Sequence, residues 1–212
     1  MWLIARYEAV TLFSLRMSSA TASGGKSLLA PTPYAIKMAL LDAAFRVLGN
    51  DAAEILWPAI RDLQIALRPA RNAVVNHLFQ RMLKPRRSPP APGDPDAGPF
   101  GRTIGYREYV QLQGSMSLAF RQAPDNHQQP LPLSASLPLA ESGDAPTWLT
   151  VLLLNLNYLG KRGSFMQLIG PPETAEDLGA EFVVLTQSQT QFPIDGTMQV
   201  LDDCAPILTF AK

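Results

Sequence analysis

The fold is decided at residues 30–41, Ala30-Pro31-Thr32-Pro33-Tyr34-Ala35-Ile36-Lys37-Met38-Ala39-Leu40-Leu41. Thr32 and Pro33 have the order of a helix N-cap followed by a first-turn proline. Apolar residues then recur at the spacing of one helix face: Ile36, Ala39, Leu40, Ala43, Ala44, Val47 and Leu48. Gly49 ends this pattern, so the stretch predicts an α-helix that begins near residue 33 and stops before residue 49.

Strand-like segments surround this helix. Residues 3–16 alternate as one strand with a bend, and Asp51 and Glu54 have capping-box spacing for a short second helix that Pro58 ends or kinks. Residues 72–84 fit either a helix or a long hairpin arm. Further strands are predicted at residues 63–67, 103–113, 115–121, 148–158, 182–188, 198–201 and 207–210. Because strands outnumber helices, we expect an α+β fold with helices on one face of a sheet.

Composition sets limits on the class of protein. The chain has 212 residues, 47% of them hydrophobic, which suits one domain with a core. A single cysteine, Cys204, excludes an internal disulfide and a multi-thiolate zinc site, and two histidines are too few for a His-rich metal site. The longest apolar run, residues 148–156, is far shorter than the ~20 residues of a spanning helix and is interpreted as a buried strand. No signal peptide is recognised, so we expect a cytoplasmic protein. We also expect no cofactor.

Charge is distributed unevenly along the chain. Residues 1–121 contain 15 basic and 8 acidic side chains, a net charge of +7, whereas residues 122–212 contain 3 and 10, a net charge of −7. The basic excess is steepest between Arg61 and Arg107. Such asymmetry indicates a polyanionic partner for one half, and an ordinary solvated surface is the alternative.

Two loops have the composition of anion sites. Residues 23–27, Ser23-Gly24-Gly25-Lys26-Ser27, precede the predicted helix, whose first turn adds Lys37 and free backbone amides. Residues 158–165, Tyr158-Leu159-Gly160-Lys161-Arg162-Gly163-Ser164-Phe165, place two basic side chains between two glycines. The alternatives are plain flexibility for the first loop and a solvated hairpin turn for the second.

A third basic group flanks a proline-rich segment at residues 85–99, which we expect to be a flexible tip. If the two flanks pair as a hairpin, their basic side chains form a two-sided clamp for a sugar–phosphate backbone. Tyr106 and Tyr109 would then offer stacking faces for bases, although tyrosines in strands also serve simply as packing. The basic side chains are Arg81, Lys84, Arg86 and Arg87 before the tip and Arg102 and Arg107 after it.

These elements together resemble the CRISPR-associated Cas-five family of the RAMP superfamily. A strand, a small-residue loop and the proline-capped helix at residues 30–41 are similar to the family's amino terminus. Arg107-Glu108-Tyr109-Val110 resembles the strand that returns from its "thumb" hairpin, and residues 158–165 are similar to its Leu-Gly-basic turn. The resemblance extends over residues 3–170. The final third departs from it, because no RAMP-type glycine-rich loop lies near residue 200.

The resemblance implies a single ferredoxin-like, RRM-type domain over residues 1–212, with an antiparallel sheet and a thumb at about residues 68–113. It implies a subunit of a type I CRISPR effector complex (Cascade) that holds the 5′ handle of the CRISPR RNA. The expected neighbours are the Cas-seven type backbone subunits and the large subunit, with target DNA met through the complex and no membrane. The RNA-binding residues so implied are Arg16, Gly24, Gly25, Lys26, Ser27, Lys37, Arg81, Lys84, Arg86, Arg87, Arg102, Arg107, Tyr109, Lys161 and Arg162.

Catalysis is not expected from the sequence. Metal-free RNA cleavage needs a general base and an acid, but His77 lies in an apolar setting and His127 in a proline-rich loop. Cys204 follows two aspartates, which disfavour a thiolate. Two alternatives to a non-catalytic RNA-binding subunit stay open: an endoribonuclease of the same superfamily that processes precursor CRISPR RNA, and a protein-interaction module without nucleic acid.

Overall fold

The computed structural model describes residues 1–16, 24–93, 98–122, 147–161 and 163–185. Three helices lie among eleven strands in this part of the chain. The helices are α1 (Pro33–Leu48), α2 (Asn50–Arg61) and α3 (Thr147–Asn155). The strands are β1 (Trp2–Ala9), β2 (Leu15–Arg16), β3 (Gly24–Gly25), β4 (Ser27–Leu28), β5 (Gln64–Arg68), β6 (Asn72–Pro85), β7 (Phe100–Gln113), β8 (Met116–Arg121), β9 (Met166–Leu168), β10 (Glu173–Ala175) and β11 (Val183–Val184).

The main sheet has the ferredoxin-like strand order. Its strands run β10-β1-β8-β5-β11, with β9 also paired to β1, and each of these pairs is antiparallel. In chain order the unit reads strand, helices, strand, strand, helix, strand, with β9 and β10 sharing the place of the last strand. The long β6–β7 hairpin is inserted between the two middle strands. The predicted α+β fold with an antiparallel sheet is confirmed.

The three helices cover one face of this sheet. Alternate side chains of the central strands, such as Leu3, Ile65 and Leu118, join buried residues of all three helices in one apolar cluster. The intervening side chains face the other side, where a smaller cluster forms around Trp2. Because strand side chains alternate between faces, the strand residues in the cluster with the helices belong to one face of the sheet. The predicted placement of helices on one face is therefore confirmed.

The first helix begins where the sequence predicts. Thr32 is the N-cap of α1, and its hydroxyl oxygen accepts a hydrogen bond from the Ala35 amide at 3.2 Å. The capping prediction for α2 was wrong, because Gly49 at φ +85° is its N-cap and Asp51 lies within the first turn. Pro58 does not end α2, which continues to Arg61. A proline removes one backbone donor, and α2 closes afterwards with the Asp62 amide donating to the Pro58 carbonyl at 3.1 Å.

The strand predicted at residues 148–158 is wrong, since most of this segment forms α3. Trp148, Leu149, Leu152 and Leu153 are all buried, and their spacing is that of one helix face. A continuous apolar run carries no alternation, so periodicity cannot distinguish a buried strand from a buried helix. The Leu-Gly-basic turn therefore follows a helix rather than a strand.

The predicted single strand at residues 3–16 is also interrupted. β1 ends at Ala9, Val10 and Leu12 are exposed, and β2 pairs with β4 in a separate small sheet. The loop predicted up to Ser27 contains two short strands, β3 and β4, in its last five residues. Of the strands predicted after residue 181, β11 is shorter than expected, and those at 198–201 and 207–210 lie outside the described residues.

The ambiguous segment at residues 72–84 is a strand, and it forms most of the long hairpin that we call the thumb (β6 and β7). The register joins Asn72 with Gln113 at the base and Pro85 with Phe100 towards the tip. Cross-strand partners share a face, so the register divides the thumb into two faces. One face, the polar face, carries Asn76, Gln80, Lys84, Thr103, Arg107 and Tyr109 together with the apolar residues Val74, Leu78 and Met82; the other, the apolar face, carries Val75, His77, Phe79, Arg81, Leu83, Phe100, Arg102, Ile104, Tyr106, Glu108 and Val110.

None of the helices in the described part of the chain is long and apolar enough to cross a membrane.

Candidate nucleic-acid interface

Four chain segments meet where the thumb joins the domain, and we call this place the thumb-base junction. It consists of residues 10–16, 24–28, 106–110 and 158–165. The first of these segments lies between the other three and contacts each of them. The two loops and the hairpin that the sequence marks as basic are thus neighbours in space, although up to 141 residues separate them along the chain.

The thumb is attached to the central segment by paired backbone groups. Phe13 and Val110 exchange two amide–carbonyl hydrogen bonds, each of 2.7 Å, and both side chains are fully buried. The Ser14 hydroxyl donates to the Glu108 carbonyl at 3.4 Å. The base of the thumb is consequently fixed to the domain through both its backbone and its packing.

The glycine loop is held by the thumb and by β2. β3 pairs in parallel with β7, aligning Gly24 with Tyr106 and Gly25 with Arg107. The Ser27 amide donates to Glu108 Oε2 at 3.0 Å, and the Ser27 hydroxyl accepts from the Leu15 amide at 3.0 Å. The loop therefore crosses the base of the thumb in a defined position, with Lys26 exposed between the two short strands.

The Leu-Gly-basic turn lies against the other side of the central segment. The Thr11 hydroxyl donates to the Gly163 carbonyl at 2.7 Å and accepts from the Phe165 amide at 2.9 Å. The Ser164 hydroxyl accepts from the Ser14 amide at 3.0 Å. Gly160 has φ +75°, and a Cβ atom there would lie 2.3 Å from Leu15 Cδ2. Close contact with β2 requires glycine at this position.

The junction gathers basic side chains with few acidic neighbours. No salt bridge among the described residues involves Lys26 or Arg107. Gly25 is aligned with Arg107 in the β3–β7 pairing, and Lys26 follows Gly25 directly. Lys161 is half-buried in the turn. The backbone of Arg16 pairs with Ser27, while its side chain and all of Arg162 lie outside the described residues.

Glu108 is the buried acid of the junction. Its side chain is 11% exposed, and its Oε1 lies 3.5 Å from Nδ1 of His77. The Tyr106 hydroxyl also forms a hydrogen bond with His77 Nδ1, and the two rings stack with centroids 5.4 Å apart. Glu108 thereby links the glycine loop to the aromatic residues of the apolar face.

Lys37 does not extend the anion cradle in the way the sequence suggests. Its ammonium group donates to the Arg61 carbonyl at the end of α2. The helix N-terminus is likewise engaged, because the Thr32 side chain and carbonyl accept from the Ala35 and Ile36 amides.

The remaining basic residues lie along the thumb on different faces. Lys84 is on the polar face with Arg107, and Arg86 packs over Gly101 of that face, its Cγ 3.5 Å from the position of a Cβ. Arg81 and Arg102 lie on the apolar face, and Arg87 is exposed beyond the paired region. Tyr106 and Tyr109 also lie on opposite faces, so they cannot stack bases of one strand side by side.

In the part of the chain that the structure describes, the open face of the main sheet offers no exposed aromatic platform. RRM-type sheets bind RNA through aromatic side chains on that face. Here Trp2 is buried, the Arg121 guanidinium lies 4.5 Å from its ring centroid, and Leu178 and Phe182 pack against the same cluster. This closure leaves the thumb-base junction as the better nucleic-acid surface.

Several residues of this region were not found from the sequence. Glu108 was missed because a carboxylate next to Arg107 in the sequence suggests only that it neutralises the charge of that arginine. Its hydrogen-bond partner Ser27 is 81 residues away along the chain. The four-residue spacing of Phe79 and Leu83, and of Phe100 and Ile104, was a usable signal, because residues an even number apart in a strand lie on the same face.

Comparisons with known proteins find similarity to CRISPR-associated proteins. No protein-family model matches the chain. Over 118 residues, 55% of this chain, it is 29% identical to CRISPR-associated protein Cas5 of Archaeoglobus fulgidus, and the match spans 50% of that protein.

Two solved structures are also similar. A chain of a "CRISPR RNA-guided surveillance complex" aligns with 58% of this chain and 49% of its own length, at 18% identity and TM-score 0.36. A chain of the "Type III-B Cmr-beta bound to cognate target RNA" structure aligns with 81% of this chain and 60% of its own, at 14% identity and TM-score 0.41. The sequence match to Cas5 and an antiparallel α+β fold with a long hairpin agree with the resemblance to the CRISPR-associated Cas-five (Cas5) family, and the chain spans about half the length of that relative.

Proposed function

We propose that this chain is a non-catalytic, RNA-binding subunit of a type I CRISPR effector complex, and that it binds and caps the 5′ handle of the CRISPR RNA. One observation carries the proposal. The glycine loop, the base of the thumb and the Leu-Gly-basic turn, each basic in sequence, meet around residues 10–16. A bound strand can therefore contact all three at once.

The chemistry of the junction suits a phosphate backbone. Lys26 follows Gly25, the residue aligned with Arg107 in the β3–β7 pairing, and no salt bridge among the described residues involves Lys26 or Arg107. Neutralising phosphates with such side chains releases counterions, which favours binding at low salt. The polar face of the thumb continues the basic surface with Lys84 and Arg86.

The proposed partners are those that the resemblance to the Cas-five family implies. The subunit would contact Cas-seven type backbone subunits and the large subunit, support recognition of target DNA through the complex, and act in antiviral defence in the cytoplasm without a cofactor.

Cross-linking tests the proposal directly. The complex is assembled with CRISPR RNA that carries photoreactive nucleotides in the handle, and the attached peptides are identified by mass spectrometry. We expect adducts in residues 24–28, 106–110 and 158–165. Adducts confined to α1 and α2, or no adducts on this subunit, would contradict the proposal.

A second candidate function has one specific observation in its favour. His77 turns Nδ1 towards Glu108 and Tyr106, as a carboxylate orients a catalytic imidazole, and this leaves Nε2 for another partner. Cleavage of precursor CRISPR RNA without metal would use such a base. In the test, purified chain is incubated with repeat RNA in EDTA; cleavage that His77→Ala abolishes and Tyr109→Phe retains would replace the non-catalytic assignment.

A further inference from the structure

The open face of the main sheet is covered by a segment of the chain itself, residues 176–182, which we call the strap. Its side chains Leu178 and Phe182 join an apolar cluster on that face with Trp2, Ile4, Ala66 and Ala119. On RRM-type sheets this face binds the bases of single-stranded RNA. The strap therefore lies at the place where such a sheet holds a base.

Two arginines of the sheet lie over aromatic rings at this place. The Arg121 guanidinium is 4.5 Å from the ring centroid of Trp2, and its Nε donates to Gln64 Oε1 at 2.9 Å. The Arg68 guanidinium is 5.8 Å from the ring centroid of Phe182. Single-stranded nucleic acids are bound by the same combination of aromatic rings and guanidinium groups. Phe182 is thus held as a stacked base would be.

A row of polar side chains crosses the same face. The register aligns Arg68, Ser117 and Arg6 on three neighbouring strands, and Arg68 Nη2 donates to the Ser117 hydroxyl at 2.8 Å. The side chains of Arg6 and Arg68 remain 46% and 36% exposed. Each lies 3.8 Å from one exposed carboxylate, Glu173 and Glu181 respectively. Such exposed pairs contribute little stability, so phosphates can replace the carboxylates.

The charge of the strap complements this face. Residues 173–181, which include most of the strap, contain four acidic and no basic side chains, whereas the open face carries Arg6, Arg68 and Arg121. A nucleic-acid strand likewise combines negative charge with flat rings. The strap therefore resembles the kind of ligand that the face is suited to bind.

The strap is held only shallowly on the sheet. Leu178 and Phe182 are half-buried. The following strand, β11, pairs with β5 through two residues, Val183 and Val184, whose side chains are 57% and 56% exposed. Segments with little buried apolar surface open at a low free-energy cost. The strap can therefore leave the face while the β1–β8 and β5–β8 pairings keep the sheet intact.

We propose that the open face of the main sheet is a second nucleic-acid site, which takes single-stranded nucleic acid of any sequence, and that the strap masks it until the strand displaces the strap. A base takes the place of Phe182 against Arg68, and phosphates replace the carboxylates at Arg68 and Arg6. No residue of the thumb-base junction belongs to this site. The inference therefore goes beyond handle binding and does not depend on it.

The test releases the strap in a full-length chain that cannot bind RNA at the thumb-base junction. The parent carries Lys26→Ala and Arg107→Ala, and the released variant adds Leu178→Ser and Phe182→Ser, which remove the apolar anchors of the strap. The probe is a short fluorescein-labelled oligouridine without the handle sequence, and oligothymidine is titrated in parallel. We expect the released variant to bind at least about tenfold more tightly than the parent. A gain with either probe supports the inference, and the tighter probe identifies RNA or DNA as the ligand.

A matched pair of arginine substitutions locates the gain. In the released variant, Arg68→Ala should cancel most of it, because this arginine lies on the open face. Arg61→Ala, at the end of α2, should leave it unchanged. Melting temperatures verify that each variant is folded.

Hydrogen exchange gives a readout that does not require the released variant to fold. In the parent, with its strap intact, saturating oligouridine should speed amide exchange in residues 176–185, because the bound strand displaces the strap.

Three results would overturn the inference: a folded released variant that binds no more tightly than the parent, a gain that Arg68→Ala leaves in place, or strap exchange that saturating probe does not change. The wild type is titrated with handle RNA alongside. Failure to bind that RNA would contradict the proposed function and leave the open-face site standing.

Discussion

Single residues account for the rigidity of the junction, and Glu108 is the clearest case. Its carboxylate accepts the Ser27 amide, faces His77, and is nearly excluded from solvent. Glu108→Ala should cost about 1–3 kcal/mol of unfolding free energy, because a part-buried amide loses its acceptor. Glu108→Gln keeps an oxygen acceptor and should cost less.

Urea unfolding measures these differences in stability, and the control is Glu54→Ala, which changes an exposed side chain of α2. Equal midpoints for Glu108→Ala and the control would contradict a positioning role for Glu108.

Tyr7 sets a pH limit on stability. Burial raises the pKa of its hydroxyl well above the usual range, and this hydroxyl donates to the Leu153 carbonyl at 2.7 Å. Above the ordinary tyrosine pKa of about 10, the unfolded chain releases this proton while the folded chain keeps it, so stability falls as pH rises.

Comparing the wild type with Tyr7→Phe between pH 9 and pH 12 isolates this contribution. We expect the wild type to lose up to about 1.4 kcal/mol more per pH unit above pH 10 than the variant. Parallel curves would contradict the linkage to Tyr7.

At the scale of elements, the turn at residues 158–165 offers a matched pair of substitutions. Gly160 and Gly170 have φ +75° and +74°, but only Gly160 would place a Cβ against Leu15, whereas Gly170 has open space. Gly160→Ala should therefore destabilise the protein by at least about 1 kcal/mol more than Gly170→Ala, because the Leu15 side chain is buried and has little room to move. Thermal unfolding measures the loss of stability in each variant. Equal losses in the two variants would mean that the turn is not held against β2.

Elements differed in how well the sequence predicted them. α1 was predictable because its cap, its first-turn proline and its apolar spacing agree locally. α3 was not, because its continuous run of apolar residues shows no periodicity that would distinguish a helix from a buried strand. The contacts among the glycine loop, the thumb and the turn depend on strand pairing between distant residues, which local patterns do not encode. The resemblance supplied that arrangement only as an expectation.

At the scale of the whole molecule, ion pairs within the chain neutralise part of the charge that divides its two halves. Arg6 lies 3.8 Å from Glu173, and Arg68 lies 3.8 Å from Glu181, so acids of the second half meet basic residues of the main sheet. These exposed pairs add little stability. They leave the excess positive charge on the thumb and its base, where the proposed RNA surface lies.

The salt dependence of RNA binding tests this central claim most directly. Purified chain, or its complex if the free chain does not bind, is titrated with RNA that carries the repeat-derived 5′ handle at several salt concentrations. The wild type is compared with Lys26→Ala plus Arg107→Ala, and with Arg61→Ala at the end of α2 as the control. We predict that the double variant weakens binding and reduces the log–log salt slope by about 1.4, the value for two lost single-strand phosphate contacts. Slopes that are the same for all three proteins would contradict RNA binding at the thumb-base junction.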